Sequence, residues 1–111
     1  MSELPRDELA RIEAYCDRRP QKTVDRWRVS AHATGHSVTI VRARAPKGGE
    51  SGSAPRETRV AQLRFEPALD EWTLYWSDRD GRWHRFEEAP PGKVDEVIEV
   101  LDRDPTGVFW G

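Results

Sequence analysis

Cysteine is all but missing from this chain: its 111 residues include only Cys16. An intramolecular disulfide and a four-thiolate zinc site are therefore excluded. Long hydrophobic runs are missing too, and nothing approaches the ~20 apolar residues that carry a helix across a bilayer. The opening residues Met1 to Arg6 contain no apolar core followed by small cleavage residues, so no secretory leader is expected. These absences lead to the expectation of a cytoplasmic protein without membrane contact. Lysine is scarce, with 3 against 15 arginines. The basic groups are thus mainly guanidinium planes, which stack on aromatic rings and grip carboxylates or phosphates.

What remains fits one domain over residues 1–111, since single domains cluster at roughly 100–150 residues. The net charge of −2 excludes a generally polyanion-binding chain. Its distribution is uneven: residues 1–25 carry 5 basic and 6 acidic groups, residues 26–86 carry 11 and 7, and residues 87–111 carry 2 and 7. A basic middle beside an acidic end can mark an anion-facing surface, or can simply be neutralised within the fold.

Periodicity predicts a helix over Pro5–Arg19. Pro5 suits the first helical position, and Asp7 and Glu8 favour the positive end of the helix dipole. Leu9, Ile12, Tyr15 and Cys16 form its apolar stripe, and Pro20 ends it. Cys16 reads as a small core residue, because no helper group stands near it in sequence to lower its pKa. A second helix is predicted over Lys93–Arg103 on Val94, Val97, Ile98 and Leu101, with Glu96, Glu99 and Asp102 solvating its back. Phe109 and Trp110 are expected to dock on the core.

Between the helices, alternation predicts five strands. Arg26–Ala33 and Ser37–Ala45 form a hairpin about a Thr34-Gly35 turn, which pairs Ala31 with Val38 and Val29 with Ile40. One face then carries Trp27, Val29, Ala31, Val38 and Ile40, and the other carries Arg28, Ser30, His32, Thr39 and Val41. Residues 46–55, rich in Gly, Ser and Pro, read as a mobile loop. In the third strand, Arg56–Glu66, Ala61, Leu63 and Phe65 face the core while Val60, Gln62 and Arg64 face away. Pairing Leu63 with Leu74 in the fourth strand, Glu71–Ser77, adds Trp72, Leu74 and Trp76 to the apolar face and Thr73 and Tyr75 to the other.

The turn before the fifth strand, Trp83–Glu87, decides which residues remain free, because a one-residue slip exchanges the faces. A two-residue Asp80-Gly81 turn would bury Arg85 opposite Trp76. A three-residue Arg79-Asp80-Gly81 loop, with Gly81 left-handed, pairs Trp76 with His84 and Leu74 with Phe86. The second register keeps the apolar face apolar and leaves Trp83 and Arg85 beside Tyr75. The fold expected is α+β: a five-stranded antiparallel meander with both helices packed on one face.

The segments LYWSDRDGRWHRF and DRDPTGVFWG, with the earlier ELARIEAYC and VTIVRARAP, resemble a family of small bacterial proteins catalogued only as a domain of unknown function. The resemblance covers about Leu4 to Gly111. It departs at residues 46–55, which are Gly/Ser-rich where family members look Pro- and Trp-containing. It implies no activity, cofactor or catalytic residue.

Three chemistries compete for the function. His32 and His36 have ligand-like spacing but flank a turn, and Asp78-x-Asp80-Gly81 echoes a calcium loop whose later ligands would be Arg82 and Ala89. No metal and no cofactor are expected. His84 with Asp78 or Asp80 could form an acid–base pair, although the register places His84 on the core face between tryptophans as a structural histidine. The remaining surface, Arg28, Arg64, Tyr75, Trp83 and Arg85 with Gln62 and Thr73 between them, is both basic and aromatic. Such a face suits a protein partner or self-association, since Trp, Tyr and Arg dominate interface hot spots. Stacking of single-stranded nucleic acid is the alternative, at about 1–3 kcal/mol per base. The expectation is a non-catalytic interaction module.

Overall fold

The computed structural model describes residues 4–18, 27–44 and 56–110. The expected 46–55 loop, the ends of the first two strands at Arg26 and Ala45, the stop at Pro20 and the side chain of Trp27 lie outside the described residues. The elements are α1 (Arg6–Arg18), β1 (Trp27–Thr34), β2 (Ser37–Arg44), β3 (Arg56–Glu66), β4 (Glu71–Ser77), β5 (Trp83–Arg85) and α2 (Val94–Arg103). The strands form one antiparallel sheet in the order β1-β2-β3-β4-β5, the meander that the alternation implies.

Both helices lie on one face of that sheet. Ile12, Tyr15 and Cys16 of α1 and Val94, Val97, Ile98 and Leu101 of α2 join Val29, Val38, Ile40, Leu63, Trp72 and Leu74 in a single core. α1 packs on β1, α2 packs on β4, and the helices touch each other. The Tyr15 hydroxyl donates to Asp102 Oδ1 across that seam at 3.1 Å. Lys93 is the N-cap of α2, and its N–H donates to Glu96 Oε1 at 2.9 Å, satisfying one of the helix's orphan donors. At the other end Asp104 takes a left-handed conformation, φ 44°. Its carboxylate accepts the N–H groups of Phe109 (3.0 Å) and Trp110 (2.8 Å), and Trp110 Nε1 donates to the Leu101 carbonyl. Phe109 is buried edge-on against Phe86, with centroids 5.1 Å apart, so the aromatic ending docks as its composition implies.

Three local expectations need correction. The β1–β2 turn is Gly35-His36, with Thr34 opposite Ser37, Ala33 opposite Val38 and Ala31 opposite Ile40. Gly35 has φ 59° and stands at the first turn position, where a type II′ turn wants glycine. The pairing moves by two residues, so each side chain keeps its expected face. Second, Val60 is buried with Ala61 rather than facing away. The β2–β3 register shifts between Ile40, opposite Ala61, and Val41, opposite Arg59. Val60 is the extra residue of a bulge, which turns two successive side chains inward. Val41 keeps its expected face but is buried there. Third, β5 ends at Arg85. The chain still bonds through the Phe86 N–H to the Leu74 carbonyl, leaves the ladder, and returns at Gly92, which exchanges two backbone bonds with Trp72.

Candidate functional site

Apart from Val60, the described residues that the alternation assigns to the sheet face opposite the helices lie on it. In β3, Arg64 Nε donates to Gln62 Oε1 at 2.7 Å, and Gln62 Nε2 donates to Thr39 Oγ1 on β2 at 3.1 Å. Those bonds hold the Arg64 guanidinium over the Tyr75 ring, 3.8 Å from its centroid. Such a contact is worth about 0.5–1 kcal/mol at an exposed site. Tyr75 stands opposite Arg85 in the β4–β5 ladder, and Trp83 stands opposite Ser77 one row further along. Arg85 is exposed and Trp83 half-buried. Arg64, Tyr75, Arg85 and Trp83 are thus brought together as a patch. Arg28 is not part of it. It lies on β1, the opposite edge strand, so four strand spacings of roughly 4.8 Å separate it from β5.

The β4–β5 register is the three-residue one. Trp76 faces His84, and Gly81 has φ 81°. His84 therefore occupies a core-face position, but it does not sit buried between tryptophans. Its side chain is 45% exposed, because the helices pack on β1 and β4 and leave this edge open. The imidazole stacks on Trp76 at 4.7 Å and meets Asp78 Oδ2 through Nε2 at 2.6 Å. Asp78 Oδ1 accepts the backbone N–H groups of Asp80 and Arg82, each at 2.9 Å. The bond from His84, then the Arg82 N–H, hold the Asp78 carboxyl below its ordinary pKa. Asp80 contributes to this cluster through its backbone N–H. His32 contacts Ser30 Oγ at 3.0 Å, and among the described residues no three His, Cys, Asp or Glu side chains gather as metal ligands.

Two clefts flank this hairpin. One, of about 570 Å³, lies between Trp76, His84, Phe86 and Glu88 on one side and Thr106 and Val108 on the other. The second, of about 450 Å³, lies between β3 at Thr58 and Arg59, the turn at Asp78 and Arg79, and the chain end at Gly107 and Val108. The tryptophan-rich hairpin and the chain's aromatic ending, separate in sequence, meet around both. Sequence alternation misses the second cleft because it depends on the bulge. The apolar doublet Val60-Ala61, which breaks the alternation of β3, is the one signal of it.

The fold defines a small α+β domain with one side of its sheet under helices and, among the described residues, no element on the other. The chain belongs to the family described as Domain of unknown function (DUF3024), whose model matches residues 1–111. No curated protein and no solved structure matches it.

Proposed function

We propose that this chain is a non-catalytic interaction module whose open sheet face binds an acidic segment of a protein partner. The observation that carries this reading is the Arg64 guanidinium held 3.8 Å over Tyr75 by the Gln62–Thr39 bonds. An ordered guanidinium loses less entropy when it binds a carboxylate, and its planar fork can grip both oxygens at once. Arg85 and Trp83 extend the patch with the residue types that anchor interfaces. Around Tyr75 the neighbouring charges are the Arg64 guanidinium over its ring and Arg85 opposite it in the ladder, which favours an acidic occupant.

The Asp78–His84 pair is the observation that favours acid–base catalysis instead. The hairpin accounts for that pair: one Asp78 oxygen closes the turn and the other orients the imidazole. The interaction reading is therefore preferred.

Two-dimensional NMR of the labelled chain, titrated with a glutamate-rich peptide and separately with oligothymidine, tests the proposal. Peptide-induced shifts at Arg64, Tyr75, Trp83 and Arg85, lost in the Tyr75→Ala/Arg85→Ala double variant, are the expected result. Binding of the oligonucleotide alone, with an affinity falling steeply with salt, would replace this reading with nucleic-acid binding. Shifts that grow with protein concentration alone would replace it with self-association, and no response at this face would overturn it.

A further inference from the structure

The β3–β4 ladder ends at Gln62 opposite Tyr75. Beyond that pair the Val60 bulge turns β3 aside while β4 continues to Ser77 and the turn, so the sheet opens into a fork. The opening is the cleft of about 450 Å³, within the ~300–1,000 Å³ typical of small-ligand sites. Three guanidinium-bearing residues from three elements line it: Arg42 of β2, Arg59 of β3 and Arg79 of the β4–β5 turn. The hydroxyl residues Thr58 and Ser77 stand between them.

The state of each charged group matters more than the number of them. Among the described residues Arg59 Nη1 reaches across the fork only to the neutral Gly81 carbonyl, at a long 3.4 Å. Arg79 is exposed in the turn, within reach of the same opening. Arg42 Nη1 donates to the Trp110 carbonyl, so its charge is fixed at the back of the cleft. Two carboxylates also line the fork. Asp78 has both oxygens occupied by the Asp80 and Arg82 N–H groups and by His84, and Glu57 is exposed. Among the described residues neither forms an ion pair with Arg59 or Arg79.

We propose that this fork is a binding site for a small polyvalent oxyanion, gripped by Arg59 and Arg79 with Arg42 behind them. Phosphate esters and polycarboxylates share the required chemistry, because both offer paired oxygens to a guanidinium fork. The Arg59–Gly81 bond is the contact such an anion displaces. The site is separate from the Arg64–Tyr75 patch and does not depend on the function proposed for it.

Calorimetric titration of the full chain with inorganic pyrophosphate, and separately with citrate at matched ionic strength, tests the assignment. Saturable one-site binding of either anion is expected, pyrophosphate alone marking a phosphate site and citrate alone a polycarboxylate site. The affinity should fall at least about tenfold in Arg59→Ala and in Arg79→Ala, since each removes a charge-assisted contact. Arg59→Lys should fall between wild type and Arg59→Ala, while Arg6→Ala, an exposed arginine on α1, should bind as wild type. Both alanine variants change exposed side chains, and far-ultraviolet circular dichroism checks that they fold. No saturable heat from either anion at about 5 mM, weaker than any useful small-ligand affinity, would overturn the proposal. Equal weakening by Arg6→Ala would also overturn it, because the effect would then follow net charge alone.

Discussion

Asp78 Oδ2 lies 2.6 Å from His84 Nε2, while the other oxygen of the same carboxylate closes the turn between them. One side chain thus sets both the turn and the imidazole that stacks on Trp76. The carboxyl is held below its ordinary value of 3.8, first by the His84 bond and then by the Arg82 N–H. A depressed carboxyl stabilises the fold in its ionised form. That contribution is complete above the ordinary value and is lost as the pH falls through the lower, folded-state value. Asp78→Ala should therefore unfold at lower urea than wild type at pH 7. The gap should narrow as the pH drops below about 4. A gap that stays constant from pH 7 to pH 3 would show that the carboxylate charge plays no part.

Gly81 provides a separate test of the same turn. Its φ of 81° is one that residues with a Cβ rarely adopt. Space is not the obstacle, since an added Cβ would meet only Arg59 Nη1, at 3.8 Å. Gly81→Ala should thus show the backbone term alone, about 1–2 kcal/mol in urea unfolding. Gly81→Asn should cost less, because asparagine tolerates this region better. Equal stability of Gly81→Ala and wild type would mean that the turn had changed type and that the Trp76–His84 register had moved with it.

Much of this architecture was legible because hydrophobic alternation constrains faces more tightly than it constrains ends. The Leu63–Leu74 and Trp76–His84 pairings follow from keeping arginine out of the core. The same logic located the β1–β2 faces while missing the turn by one position, since an even change of partner leaves each face intact. The bulge at Val60 leaves one mark in the sequence, the apolar doublet Val60-Ala61, which does not reveal the shifted register. An extra residue in one strand is fixed by its neighbour's ladder, which a single segment does not encode. The fork and its arginines follow from that bulge and were missed with it. The exposure of His84 was missed because alternation assigns a face but not how far the helices extend over it. Alternation groups Arg28 with β5 for a related reason: a shared face does not mean proximity.

Trp72 anchors three parts of the chain at once. It is fully buried, packs on Phe65 at 5.0 Å, bonds Gly92 through its backbone, and donates Nε1–H to Glu8 Oε2 of α1 at 3.1 Å. Trp72→Ala should lose about 3–5 kcal/mol in urea unfolding, through the lost burial and the cavity left behind. Glu8→Gln keeps an acceptor for the indole and should lose less than about 1.5 kcal/mol. If both variants lost the same, the indole–carboxylate bond rather than packing would govern this site.

The lone thiol should report on the helix layer without disturbing it. Cys16 faces the core from α1, and burial, with Asp17 and Glu13 adding to it, raises its pKa to about 11. The thiolate is the reactive form, and at pH 7.5 almost none is present. Ellman's reagent should therefore react slowly with the native chain and rapidly once urea releases α1. The native rate should rise with any substitution that loosens the α1 seam, Trp72→Ala among them, because local opening is what exposes the sulfur. A thiol that reacts as fast in the native chain as in the unfolded one would show that α1 does not cover it in solution.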